Sequence, residues 1–205
     1  MADEPRPALG SLDRELLRRA QTVVGIDEVG RGALAGPVVV GGVAFDRIPF
    51  NPGIQDSKLL TPRQRARAAT WVRATCVTWT VVEVWVDVID RINILEATRL
   101  AMRAVSRTLS TAQTAIVVDH VDLAERGADV LSIQAADAKF FCVAAASIVA
   151  KVHRDNLMAR LDRDYPGWDW EGNKGYGTRR HRVALESRGR SFLHRTTFSW
   201  SPVLP

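Results

Sequence analysis

Cysteine is scarce in this chain: Cys76 and Cys142 are the two among 205 residues. They fall in predicted apolar elements without metal-type spacing, which excludes a disulfide framework and a cysteine zinc centre, so both read as plain core residues. Long hydrophobic runs are lacking too. No apolar stretch reaches the roughly 18 residues of a membrane span, and residues 1–20 are charged throughout with no hydrophobic signal region. A cytoplasmic protein with no membrane attachment is therefore expected. No internal repeat or low-complexity tract is visible. What the chain does contain is 46% hydrophobic residues, enough for one main domain with a sizeable core.

The formal net charge of +5 is unevenly placed. Residues 1–150 carry 17 basic and 17 acidic side chains, so the whole excess lies in residues 151–205, with 11 basic against 6 acidic. A solvated helical surface would account for such a segment, and so would attraction to nucleic-acid phosphates, which adds affinity without sequence information.

Patterning predicts an α/β order after an antiparallel start. Residues 1–10 read as a disordered tail, followed by a short helix at Leu12–Ala20. Val23–Asp27 and Pro37–Phe45 read as two strands of a hairpin around a glycine-rich turn. Thr61 and Pro62 form a helix-start signal for a helix running to about Thr75. Val77–Val86 reads as a third strand. Between Asp87 and Leu109, Ile92, Leu95, Leu100, Met102, Val105 and Leu109 approximate one helical stripe, with Arg99, Arg103 and Arg107 on another face. Ala115–Asp119 and Leu131–Gln134 follow as strands, Lys139 to about Arg163 as a long Ala-rich helix, and Thr178–Arg188 as a basic helix.

Chemistry concentrates at the ends of these elements. Asp27 and Glu28 close an apolar run just before Gly30-Arg31-Gly32, and desolvated carboxylates need a partner. A divalent cation is one such partner, and an arginine bracketed by glycines suits a phosphate-bearing ligand. Asp119 ends another predicted strand and Asp137 precedes the long helix, where α/β sheets build ligand sites. Taken singly, Asp137 would more often be a helix N-cap and Asp119 a loop residue solvated at its strand end. Together, oxygen-only ligands suit Mg²⁺ or Mn²⁺ better than zinc, and four carboxylates can hold two ions about 4 Å apart for phosphodiester hydrolysis. Gly30-x-Gly32-x-x-x-Gly36 is not a dinucleotide loop, because Pro37-Val38-Val39-Val40 follows as a strand where that fingerprint needs a helix.

These residues also carry a resemblance. Gly25-Ile-Asp-Glu-Val-Gly-Arg-Gly with Ala35-Gly36-Pro37, then Asp56-Ser57-Lys58-Leu59-Leu60, Val118-Asp119, Asp137-Ala138-Lys139 and the run Ala144–Val152 with Arg154-Asp155 resemble the ordered motifs of ribonuclease HII. Lys174-Gly175-Tyr176-Gly177-Thr178, His181, His194-Arg195 and Phe198 complete the series. The resemblance implies an α/β fold with a ribonuclease H-like mixed sheet flanked by helices and a small helical C-terminal extension. The implied parts are a tail and short helix over 1–20, a catalytic domain over 21–155, and a basic extension over 156–205 that completes the substrate site.

It further implies an endonuclease that hydrolyses the RNA strand of RNA/DNA hybrids and cuts 5′ of single ribonucleotides in duplex DNA, leaving a 3′-hydroxyl and a 5′-phosphate. Asp27, Glu28, Asp119 and Asp137 match the catalytic, metal-binding carboxylates, served by two Mg²⁺ or Mn²⁺ ions. Gly30, Arg31 and Gly32 match the element that reads the ribose 2′-hydroxyl, and Tyr176 the tyrosine that packs on the sugar beside the scissile junction. Lys58 is a candidate phosphate contact, with Ser147 and Lys151 further substrate-binding candidates. The partner is nucleic acid, a monomer is expected, and no sliding-clamp motif is clear at the C-terminus. Two places depart from the family pattern: His120 stands where glycine is usual, and Ala135-Ala136 where Lys-Gly is usual. Two rival readings are a ribonuclease HIII-like enzyme favouring long hybrids, for which the short N-terminal stretch leaves no extra domain, and a nucleic-acid binder without chemistry.

Overall fold

Strand β1 (Thr22–Val29) sits at the centre of a five-stranded sheet because both of its faces are covered by helices. The structure is a computed structural model and describes residues 8–51, 53–54, 57–123 and 129–201. Strand β2 (Val38–Phe45) returns antiparallel to β1, and β3 (Thr78–Val84) lies antiparallel to β2. On the other side β4 (Thr114–Asp119) and β5 (Asp129–Ile133) run parallel, giving the mixed order β3-β2-β1-β4-β5. The tail expected to be disordered lies, over residues 1–7, outside the described residues, as does Asp56.

Several boundaries differ from expectation, each for a local reason. The predicted helix at Leu12–Ala20 is α1 (Ser11–Leu16), after which Arg18 and Arg19 bond three residues back and tighten into turns. Strand β1 continues past Asp27: Asp27 faces Gly41 and Glu28 faces Val40 in the ladder with β2, so the two acids lie within the strand. The single helix expected over 87–109 is two, α3 (Val86–Ile92) and α4 (Ile94–Leu109). Asn93 takes a left-handed φ of 68°, and its side chain accepts from the amides of Leu95 and Glu96, capping the second helix while ending the first. The α4 stripe is Ala97, Ala101, Met102, Val105 and Leu109, and Leu95 and Leu100 face solvent. Between them, α2 (Pro62–Thr75) begins with the expected Thr61 cap as a full capping box with Gln64.

Two apolar layers follow from the alternation of β1. Val24 and Ile26 pack under α4 with Val38, Val40 and Met102. Val23 packs on the other face with Val43, Phe45 and the long helix α5 (Phe141–Asp164). Burial of each such aliphatic side chain stabilises by about 1.5–3 kcal/mol. Helix α5 starts later than expected, because Lys139 closes a 3₁₀ turn over Ala136–Ala138. Its N-terminus is capped from afar: the buried Asp13 carboxylate of α1 accepts from the amides of Phe141 and Cys142, both at 2.9 Å. Cys142 is buried and Cys76 half-buried, and both are free. A third cluster joins Ala35, Leu157, Met158 and Leu161 to Trp170 and Leu193, seating α6 (Trp170–Asn173) against α5, and α7 (Arg179–Arg188) meets α6 where Trp170 Nε1 donates to His181 Nε2 at 3.3 Å. Among the described residues no helix is long and apolar enough to cross a membrane.

Candidate active site

At the end of β1 the chain opens a cleft of about 410 Å³. Asp27, Glu28 and Asp119 line it, with Gly30, Arg31, Gly32, Lys58, Ser147, Lys151 and Tyr176 around them. Parallel pairing of β1 with β4 is what brings Asp119 beside Asp27, residues far apart in sequence. Asp137, the fourth predicted acid, is 5% exposed and joins through Lys58, whose Nζ donates to Asp137 Oδ2 at 3.3 Å.

Asp27 and Glu28 are poorly neutralised. Burial drives the Asp27 pKa well above the usual carboxylate range, Glu28 and Asp119 push it further, and a hydrogen bond from Ser147 opposes them. The Ser147 hydroxyl also lies 3.0 Å from that of Ser57. Burial likewise raises Glu28, with Arg31 pulling it back through a 3.2 Å bond from Nη1 to Oε1. Glu28 Oε2 is buried with no hydrogen-bond partner. Among the described residues no three His, Cys, Asp or Glu side chains stand close enough to hold an ion as placed. The donor set nevertheless fits a hard divalent cation: it is oxygen only, mutually repulsive, and includes an orphaned buried carboxylate oxygen.

The departures beside Asp119 and Asp137 have a geometric meaning. His120 is exposed and takes φ 56°, a left-handed conformation that glycine adopts freely and histidine at a penalty of about 1–2 kcal/mol. Ala135 takes φ 55°, so the bend before Asp137 is made one residue before the position where the family places its glycine. The amide of Ala136 then donates to Asp119 Oδ1 at 2.9 Å, tying the two acid-bearing segments together.

The glycine-arginine loop is held from beneath by two buried arginines that sequence patterning did not single out for this task. Arg195 donates to Gly30 O and Arg31 O, both at 2.7 Å, and to Gly36 O at 3.0 Å. Arg154 donates to Pro37 O, Ala35 O and Lys174 O at 3.0, 3.1 and 2.7 Å, and its guanidinium lies 5.5 Å from the Tyr176 ring centre. A signal for Arg154 existed, since it interrupts the apolar stripe Ala150, Leu157, Met158 and Leu161 of α5. Arg195 lies in an irregular turn and has no such signal. Gly30 has φ 89°, and a Cβ there would stand 2.2 Å from Arg154 Nε. Gly32 is different: it is exposed, and a Cβ there would meet no atom within 4 Å, so the space above it is open. Lys151 is paired with Asp155 at 2.7 Å, so any phosphate it meets competes with that carboxylate.

A β3-β2-β1-β4-β5 mixed sheet whose central strands and a following turn gather acidic side chains beside a glycine-arginine loop defines a nuclease of the ribonuclease H-like class. Within it, the chain belongs to the ribonuclease HII family, whose model matches residues 24–200. It is 42% identical to ribonuclease HII of Geobacter sulfurreducens, over 95% of this chain and 90% of that protein. Identity to a ribonuclease HII of Thermus thermophilus is 43%, over 94% and 93% of the two chains. The ribonuclease HII of Archaeoglobus fulgidus, solved in complex with PCNA, matches with a TM-score of 0.74 and 26% identity, over 89% of this chain and 98% of that one. The protein is accordingly an endoribonuclease of a divalent-metal-dependent family.

Proposed function

We propose that this enzyme cuts on the 5′ side of single ribonucleotides embedded in duplex DNA and along the RNA strand of RNA/DNA hybrids, leaving a 3′-hydroxyl and a 5′-phosphate. The observation that carries the reading is the meeting, in one cleft, of Asp27, Glu28 and Asp119 with Gly30-Arg31-Gly32 and Tyr176. Asp27, Glu28, Asp119 and Asp137 would hold Mg²⁺ or Mn²⁺. Bound ions supply a water of lowered pKa and neutralise charge on the leaving oxygen.

The protein's own residues select the bond. The open space over Gly32 admits a sugar edge to the backbone, where a 2′-hydroxyl separates RNA from DNA. Arg31, already half-exposed beside Glu28, is placed for the adjoining phosphate. Tyr176 offers a ring face to the neighbouring sugar, and Lys58 and Lys151 offer cations to flanking phosphates. Ser147 acts mainly by orienting Asp27, since its hydroxyl is engaged there and with Ser57. The segment 156–205 completes the site: α7 begins at Arg179, immediately after the turn that carries Tyr176, and its exposed Arg179 and Arg180 extend the surface along a bound duplex. The enzyme acts as a monomer in the cytoplasm.

The test is cleavage of labelled duplex DNA with one ribonucleotide, an all-DNA duplex and a long hybrid, with Mg²⁺, Mn²⁺ or chelator. Cutting of the first and third substrates with metal, and of none with chelator, is expected. Binding without cleavage under every condition overturns the reading in favour of a binder, and cleavage of long hybrids alone favours a ribonuclease HIII-like specificity. Tyr176→Ala is expected to lower kcat/KM at single ribonucleotides about fivefold to tenfold more than on long hybrids, the scale of one aromatic contact. Equal losses on both substrates exclude a junction role for Tyr176.

A further inference from the structure

Helix α3 lies outside the cleft, yet its Asp90 grips the chain that carries Arg195. Asp90 Oδ2 accepts from the amide and hydroxyl of Thr196 at 2.8 and 2.7 Å, and Oδ1 from those of Thr197 at 3.1 and 2.7 Å. Four donors on one half-buried carboxylate form an unusually complete clamp on a segment whose threonines are otherwise exposed. Against the opposing effect of burial, those bonds hold Asp90 at a pKa of about 2.

The residue just before the clamped pair is Arg195, which is 1% exposed. Its hydrogen bonds go to carbonyls of Gly30, Arg31 and Gly36. Backbone bonds reinforce the link: Arg195 N donates to Leu34 O and Gly36 N to Leu193 O, both at 2.9 Å. Burial and then the neighbouring Arg154 push the Arg195 pKa down to about 9, while Tyr176 and Asp90 push it up.

We propose that Asp90 is a positioning residue for substrate choice: by clamping Thr196 and Thr197 it fixes Arg195, which sets the backbone of the Gly30–Gly36 loop that meets the ribonucleotide. This rests on the proposed reading of that loop as the 2′-hydroxyl sensor. A single embedded ribonucleotide presents one 2′-hydroxyl in one register, whereas a long hybrid presents one at every step. Loosening the loop therefore weakens recognition of the first far more than of the second. A merely structural role for Asp90 weakens both alike.

The experiment compares the parent with Asp90→Asn, Asp90→Glu and the double variant Thr196→Val/Thr197→Val, which keeps the backbone bonds and retains a folded clamp should Asp90→Asn not fold. Two measurements are made on each: kcat/KM on the single-ribonucleotide duplex and the long hybrid, and amide exchange at Leu34 and Gly36 against core amides of β1 and β4. Asp90→Asn is expected to lower the ratio of the two kcat/KM values about tenfold, as for loss of hydrogen bonds to a charged group. Exchange at Leu34 and Gly36 should rise while β1 and β4 are unchanged, with partial rescue in Asp90→Glu and a smaller change of the same sign in the double variant. An unchanged ratio, or unchanged exchange at the loop, overturns the proposal. If the parent itself fails to cut embedded ribonucleotides, the sensor reading falls, and the exchange measurement still decides whether Asp90 positions the loop.

Discussion

Asp27→Asn is expected to cut about a thousandfold more slowly than the parent and, without metal, to be harder to unfold. Asp27 is raised well above its ordinary value of 3.8 by burial first, then by Glu28 and Asp119. A carboxyl whose folded pKa is raised contributes its stability below the unfolded value and loses it as pH rises through the folded value. At pH 7, above the unfolded value, the raised pKa of Asp27 therefore opposes folding. Asparagine keeps the shape and an acceptor for Ser147 but carries no charge, so a gain of about 1 kcal/mol is expected in chelator at pH 7. The gain should shrink as pH falls through the folded pKa and Asp27 takes up its proton. Denaturant melts across pH, with and without Mg²⁺, check this; metal should raise the melting point of the parent more than that of the variant. A variant less stable than the parent in chelator would falsify the account of a site destabilised by its own charge.

Gly25→Ala is expected to lose about 4 kcal/mol of stability, a melting-point drop on the order of 10 °C. Gly25 lies in β1 beneath the start of α5, and a Cβ there would stand 2.1 Å from the carbonyl carbon of Cys142 and 2.4 Å from Val143 N. Those neighbours are helix backbone, which no rotamer change can clear. Moving α5 away would also strain the Asp13 cap on Phe141 and Cys142. Thermal unfolding measures the loss, and a change under about 1 kcal/mol would show that α5 shifts freely over the sheet. Because Ser147 lies further along the same helix, residual folded protein should also lose activity.

Local signals carried much of this fold. Thr61 and Pro62 announce α2, β-branched runs announce the strands, and each acid of the site stands at or near the end of an element legible in the sequence. The errors are those local reading must make. Asn93 splits one periodic stripe into two helices through a single left-handed residue, and hydrophobic periodicity does not register a backbone bend. Strand β1 outlasts its apolar run because Glu28 and Val29 stay in register opposite Val40 and Val39 of β2, and ladder pairing does not depend on side-chain polarity.

Residue types and their order determined the family and the α/β class and marked four candidate acids with their glycine-arginine neighbour, because propensity, capping and oxygen-donor chemistry are properties of short segments. Only the tertiary structure decided how those acids meet, which of them Arg31 and Lys58 already hold, and why Gly32 is open while Gly30 is not. It alone showed Arg195 and Asp90 behind the loop. Those roles depend on contacts between residues as distant as Gly30 and Arg195, and such contacts exist only once the sheet and helices have packed.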